Sequence, residues 1–403
     1  MAFKFQGVDF IEFDSLLSED ELLVRTNTRS FIEDKLIPII EQCNRDGRFP
    51  RELARPMGEL GFYGATIDGY GCAGMNNVEA GLLYQELERG DSGIRSFVSV
   101  QSALVMHPIY AFGSDEQKNY WLPKLATGEK LGCFGLTEPD FGSNPSGMRT
   151  RARKDGDDYI LNGEKMWITS GSIADVAIIW AKLEEPGIDA GAAADPKDAR
   201  IRGFLVETDR PGFSAKDVHG KWSLRASVTS GLSMQDVRIP AANLLAKSDG
   251  LKSPLTCLSQ ARYGISWGAI GAAMACYDCA LQYAKQRKQF RNQPIASHQL
   301  VQQKLAWMIT EITKAQLLAL QVGRLKDQGK AAFQHISMAK KNNVAMALEC
   351  ARTARDILGA NGIADDYPIM RHMMNLESVK TYEGTDDIHT LIIGQSITGI
   401  AAY

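Results

Sequence analysis

The amino-acid sequence predicts a multidomain α+β protein: an N-terminal α-helical domain, a middle β domain and a C-terminal helical bundle. Three observations predict it. A chain of 403 residues exceeds what one simple core organises. Apolar residues recur at helical spacing in the first and last thirds, while strand-like runs bounded by Gly and Pro fill the middle. The expected domains are 1–131, 132–245 and 246–403.

In the first domain, Ser18 and Glu21 stand at capping-box spacing before Leu22 and Leu23, and Val24, Phe31, Ile32 and Leu36 follow at helical intervals. Gly47 and Pro50 end that stretch, and further helices are expected over about 78–88 and 97–110. From Cys133 the texture changes. Residues 159–161 and 165–169 read as two strands joined by a tight hairpin, because Asn162-Gly163 supplies the positive φ values of a type I′ turn. Further strands are expected at 176–181, 204–206 and 232–239, and the Ala-, Gly-, Asp- and Pro-rich stretch 184–200 as an exposed loop without chemistry. After Pro254, the positions Val301, Leu305, Met308, Ile312, Ala315 and Ala319 form one apolar stripe, and 335–358 and 384–402 share the pattern, which makes the last third a bundle.

Composition narrows the function. Hydrophobic residues make up 44% and charged residues 23%, the ordinary range for a folded protein. A net charge of −3 gives no global attraction for nucleic acid. No apolar run approaches the roughly 20 residues a membrane span needs. Residues 1–30 lack both the signal-peptide and the transit-peptide pattern, so the expected location is the bacterial cytoplasm, or an organelle matrix if a presequence has been removed. Seven scattered cysteines, an odd number, suit reduced thiols. Cys276 and Cys279 form a C-x-x-C, but in an Ala-rich helical stretch with no second pair or nearby His, so buried thiols are expected and no metal site.

Four segments invite chemical readings. Gly69-Tyr70-Gly71-Cys72-Ala73-Gly74 fits G-x-G-x-x-G before a helix, but no buried parallel strand follows, and a phosphate cradle is not expected. The segment 134–143, rich in small and hydroxyl residues, and Trp167-Ile168-Thr169 would together suit a flat heteroaromatic ligand; by itself, Trp167 reads more readily as core than as a cofactor platform. Arg287-Lys288-Gln289-Phe290, with Gln299 beyond, reads alone as a solvated helix end. Glu383, between Tyr382 and Gly384, is either a desolvated base or part of a helix start capped by Thr385.

Together these segments stand in the order of one family. With CFGLTEPDFGSNPSGMRTRA at 133–152, KMWITS at 165–170, SLRAS at 223–227, ARYGISWGAIGA at 261–272, GRLKDQ at 323–328 and LESVKTYEGTDDIHTLIIGQSITGI at 376–400, the chain resembles the acyl-CoA dehydrogenases, and within them the glutaryl-CoA dehydrogenases, over nearly its whole length. The resemblance implies a β-barrel-like middle domain, a C-terminal four-helix bundle and a homotetramer. It implies FAD beside Phe134, Leu136, Thr137 and Ser143, with Trp167, Ile168 and Thr169 at the isoalloxazine. Arg287, Phe290, Gln299, Asp356, Gly359, Ala360, Thr385 and Asp387 are implied at its diphosphate or adenosine end, partly from a neighbouring subunit.

Glu383 matches the family's catalytic base, which removes the α-proton of the thioester before hydride passes to the flavin. Arg95, with Ser96 beside it, matches the arginine that pairs with the distal carboxylate of glutaryl-CoA; a guanidinium meets a carboxylate bidentately. Glu88 and Tyr382 match residues that decarboxylating members keep near the carboxylate and the base, and Ser143, Arg262 and Gly384 are implied on the substrate side. The resemblance thus implies oxidation with decarboxylation to crotonyl-CoA, electrons going to electron-transfer flavoprotein. Two departures stand out: Arg291 replaces the family's Gly after R-x-x-F, with one extra residue before Pro294, and Ala360 replaces a Gly near the cofactor diphosphate.

Overall fold

A computed structural model describes residues 3–184 and 200–402, so the loop expected at 184–200 lies, apart from its two end residues, outside the described residues. The N-terminal part comprises α1 (Glu19–Phe31), α2 (Ile37–Asp46), α3 (Ala54–Glu59), α4 (Asn77–Gly90), α5 (Ser92–Ser99), α6 (His107–Phe112) and α7 (Asp115–Ala126). The Ser18–Glu21 capping box forms as expected, and Gly47 ends α2 at φ 65°. The helix expected at 97–110 is α5 and α6 joined through a π-helical turn, Val100–Met106. The glycines of 69–74 stay in a loop, and Asn76 caps α4 with its own side chain, which engages the Glu79 N–H at that helix start.

The middle part comprises β1 (Gly132–Gly135), β2 (Arg151–Asp155), β3 (Asp158–Thr169), β4 (Val176–Glu184), β5 (Ile201–Glu207), β6 (Phe213–Asp217) and β7 (Thr229–Pro240) in one sheet, ordered β1-β4-β2-β3-β7-β6, with β5 on β4. β4 shows why its run is continuously apolar. Val176, Ile178 and Trp180 face the helical core, while Ala177, Ile179 and Ala181 face the core within the sheet.

The hairpin expected at Asn162-Gly163 is absent. β3 runs straight through these residues with a register shift against β7, and Gly163 has φ 147°, outside the type I′ geometry. Gly163 is there because a Cβ would stand 2.5 Å from the Thr150 hydroxyl. The actual β2–β3 turn is Asp155–Asp158, with Gly156 at φ 61°. The Asp-Gly signal outranked the Asn-Gly signal because it sat between the strands that pair.

The last part holds α8 (Lys252–Gln286), the short pair β8 (Lys288–Gln289) and β9 (Gln293–Pro294), α9 (Gln299–Asp327), α10 (Phe333–Leu358), α11 (Ile369–Thr381) and α12 (Asp386–Thr398). Leu305, Met308, Ile312, Ala315 and Ala319 are buried along α9, as their spacing predicts. Cys276 and Cys279 are buried in α8, and no metal-binding cluster occurs among the described residues. No described helix is long and apolar enough to cross a membrane.

Candidate active site

Glu383 stands on the turn between α11 and α12, with φ 54°, and Gly384 follows at φ 95°. A left-handed non-glycine residue costs about 1–3 kcal/mol and persists only where its surroundings fix it. Here they do. Lys340 of α10 donates to the carbonyl oxygens of Tyr382 at 3.0 Å and Gly384 at 2.7 Å, and Arg262 of α8 donates to that of Glu383 at 2.7 Å. A side chain at Gly384 would be strained by its φ of 95° and would crowd His389 at 3.0 Å and Arg262 at 3.1 Å.

Thr385 caps α12 by accepting from the Ile388 N–H at 3.3 Å, and Asp387 lies exposed in the first turn. The capping alternative for this segment therefore holds, yet it leaves the Glu383 carboxylate uncommitted. Its Oε2 is buried and has no hydrogen-bond partner. Burial pushes the carboxyl up, against the opposing pull of Arg95, Lys340 and Arg262.

A second group reaches the same turn from α4 and α5. Arg95 is fully buried; its Nε donates to Glu88 Oε2 at 2.6 Å and its Nη2 to the Tyr382 hydroxyl. Burial opposes the guanidinium's charge, but Glu88, Tyr382 and Glu383 outweigh it and hold Arg95 protonated. Burial pushes the Glu88 carboxyl and the Tyr382 hydroxyl up. The pair is incomplete, because Arg95 Nη1 and Glu88 Oε1 are both buried without a partner. Such an unmet N–H costs free energy until an acceptor arrives. Ser96, also buried, follows on α5. Glu88, Arg95, Arg262, Tyr382, Glu383 and Gly384, scattered in sequence, thus converge.

The β-domain residues form a second cluster. Phe134 and Leu136 are buried, Phe134 packing 6.1 Å from the Trp180 ring, so their side chains serve the core. Thr137 is half-buried, its carbonyl accepting from the Met166 N–H at 2.9 Å, and Ser143 is exposed. The register shift between Lys165 and Ile168 leaves Trp167 at φ 64° and turns its indole outward, 60% exposed. Its neighbours turn inward: Ile168 into the sheet core, and Lys165 onto Glu138 at 2.9 Å. The core reading of Trp167 is thereby excluded. An exposed indole with the half-buried Thr169 two residues on offers the stacking face and polar edge that a flavin ring requires.

A third group stays apart. Arg287, Phe290 and Gln299 are exposed around β8–β9, and Asp356, Gly359 and Ala360 at the end of α10. Sixteen residues of α10, about 24 Å at the helical rise, separate Asp356 from Lys340. Asp356 is paired with Lys304. Arg291, at φ 58°, adopts the left-handed conformation a glycine would take without strain.

Lys340 is the site residue that sequence reading missed. Its signal was a lysine on the buried stripe of α10, with Ile336, Ala339, Asn343, Val344 and Ala347 at helical spacing around it.

The acyl-CoA dehydrogenase N-terminal, middle and C-terminal domain families match residues 18–129, 133–237 and 248–398. The chain is similar to a crystal structure of glutaryl-CoA dehydrogenase from Mycobacterium smegmatis, at 53% identity and TM-score 0.92, covering 97% of each chain. It is also similar to a glutaryl-CoA dehydrogenase from Mycobacterium smegmatis in complex with FADH2, at 49% identity and TM-score 0.94, covering 99% of this chain and 100% of that one. A probable acyl-CoA dehydrogenase of Bacillus subtilis is 35% identical over 385 residues, which is 94% of this chain and 98% of that protein. With every one of its three parts matched and a site that suits a flavin and a desolvated base, this chain belongs to the acyl-CoA dehydrogenase family and is an FAD-dependent oxidoreductase.

Proposed function

We propose that the protein is a decarboxylating glutaryl-CoA dehydrogenase: it oxidises glutaryl-CoA between Cα and Cβ, converts the glutaconyl-CoA formed to crotonyl-CoA and carbon dioxide, and passes electrons to electron-transfer flavoprotein. One observation carries the choice of substrate: a buried guanidinium with an unpaired Nη1, in the same enclosure as Glu383. Arg95, Arg262 and Lys340 all act on the Glu383 carboxylate, and Arg95 also pairs with Glu88, so the enclosure favours a further anion. The Mycobacterium smegmatis relatives are named glutaryl-CoA dehydrogenases, which supports the choice of substrate.

FAD, when bound, accepts the hydride that leaves the substrate's Cβ. Everything else falls to the chain. Glu383, desolvated and without a partner on Oε2, takes the α-proton, while Arg95 donates from Nη1 to the distal carboxylate. Glu88 fixes the guanidinium at 2.6 Å, and the Tyr382 oxygen, already accepting from Arg95, keeps its own proton to donate. Once the double bond has formed, the distal carboxylate is vinylogous to the thioester. Its C–C bond can break with the electron pair flowing toward the thioester carbonyl, and the protonated Glu383 returns its proton to the γ-carbon.

Trp167 and Thr169 would hold the flavin ring, with the backbone of Phe134, Leu136, Thr137 and Ile168 and the Ser143 hydroxyl along its edge. The remote position of Arg287, Phe290, Gln299, Asp356, Gly359 and Ala360 supports their serving the dinucleotide of a neighbouring subunit in a homotetramer, with Thr385 and Asp387 at the start of α12.

The test is to mix purified protein with glutaryl-CoA and an artificial acceptor and to identify the product. Crotonyl-CoA with carbon dioxide is expected. Accumulating glutaconyl-CoA would remove the decarboxylation step, and turnover of butyryl-CoA in preference to glutaryl-CoA would replace the substrate with a short acyl chain.

A further inference from the structure

Lys340 is 1% exposed in the N-terminal third of α10, on its buried and largely apolar stripe. Its amine instead spans two carbonyl oxygens, those of Tyr382 and Gly384, that flank the left-handed Glu383. Arg262 takes the carbonyl between them, so three consecutive carbonyl oxygens are held from behind the base by two cations. We propose that Lys340 is a positioning residue for the base: its two hydrogen bonds set the turn that aims the Glu383 carboxylate, and its positive charge stands behind that carboxylate. The proposal rests on the reading of Glu383 as the base.

The two roles separate chemically. A neutral amine still carries two N–H groups, enough for both carbonyls, so the clamp survives deprotonation while the charge does not. Burial pushes the Lys340 amine down to about 7, within the working pH range. Other charged and titratable groups also face the pair. Arg262 of α8 and Arg95 of α5 stay charged. Tyr84 and Glu88 of α4, with Tyr382 beside the base, are pushed up by burial. On α12, burial pushes His389 down to about 3, and Asp386 is engaged by Lys341 at 2.6 Å.

The sign follows directly. A cation behind a carboxylate favours its ionised form, and flavin reduction requires Glu383 ionised, so removing the cation moves the acidic limb of the reduction rate to higher pH. The experiment compares the holoenzyme with Lys340→Met and Lys340→Arg by stopped-flow bleaching of the flavin with glutaryl-CoA and α-deuterated glutaryl-CoA, from about pH 5.5 to about 9. In Lys340→Met, with flavin content retained, the limb is expected to move up by about one pH unit, the rate to fall roughly 100-fold and the isotope effect to grow. Lys340→Arg is expected to keep the limb near its original place.

Should Lys340→Met fail to hold flavin, Lys340→Gln, which keeps two N–H donors without the charge, is read for the limb alone. An unmoved limb in either neutral variant overturns the proposal. Glu383→Gln separates the two failures: if that variant still reduces its flavin normally, the base reading falls, whereas an inert Glu383→Gln with an unmoved limb in Lys340→Met removes Lys340 only.

Discussion

Replacing Arg95 with Met tests the substrate reading where the structure makes it most quantitative. The guanidinium is fully buried, pinned by Glu88 at 2.6 Å, and offers Nη1 with no internal acceptor. Removing one partner of a buried charge pair costs about 3–5 kcal/mol, because the other charge is left unpaired. At about 1.4 kcal/mol per tenfold, that is roughly two to three and a half orders of magnitude in kcat/KM for glutaryl-CoA. Butyryl-CoA places no carboxylate there and should stay roughly within tenfold of its starting value.

The same substitution leaves Glu88 buried and unpaired, which burdens folding for both substrates alike. Glu88→Gln combined with Arg95→Met removes that charge and should recover stability without recovering glutaryl-CoA turnover. The assay is steady-state kcat/KM for both thioesters in both variants, with flavin absorbance reporting the folded fraction. Equal losses for the two substrates would refute the pairing of Arg95 with a substrate carboxylate.

Other consequences follow from the same geometry. Glu383→Gln should keep its flavin yet lose substrate-driven bleaching by roughly 10²–10⁴-fold, followed by single-turnover absorbance. Trp167→Ala should weaken FAD binding roughly 2- to 13-fold, the worth of about 0.5–1.5 kcal/mol of ring stacking, measured by titrating FAD into apoprotein; unchanged affinity would take the indole away from the cofactor. Gly268→Ala puts a methyl 2.0 Å from Glu88 Oε2 and 3.1 Å from Arg95 Nε. It should cost about 1–3 kcal/mol by overpacking, seen as a lower Tm, and reduce glutaryl-CoA turnover more than butyryl-CoA turnover.

The sequence made the α–β–α order legible because periodicity is a local signal. Ser18 with Glu21, the α9 stripe and the apolar run of β4 each report their own surroundings within a turn or two. The Asn162-Gly163 hairpin failed for the complementary reason: Gly163 answers to Thr150, the residue just before β2, and nothing within its own segment says so. The site divides likewise. Local motif resemblance marked Glu383 and Arg95, whose incomplete hydrogen bonding the structure then displayed. Lys340 was invisible because its role lies in carbonyl oxygens some forty residues away, and a lone buried lysine carries no motif.

The two ends of the site are held by different kinds of physics. Around Arg95, α4 lies almost on the backbone of α8: a Cβ at Gly264 would stand 3.0 Å from the Tyr84 ring, and one at Gly271 only 1.9 Å from the Gln85 carbonyl oxygen. Each glycine inside a helix costs about 1 kcal/mol relative to alanine, and α8 accepts that at Gly264, Gly268 and Gly271 so that Glu88 can reach its backbone and brace the guanidinium. The Glu383 end has no such interlock. It is a strained turn between two helices, held by hydrogen bonds from Lys340 and Arg262 to its carbonyls. On the proposed reading, substrate selection rests on close-packed helices that tolerate little change and proton transfer on a hydrogen-bonded clamp whose charge can vary with pH, and perturbations of the two should separate in kcat/KM ratios and in pH profiles respectively.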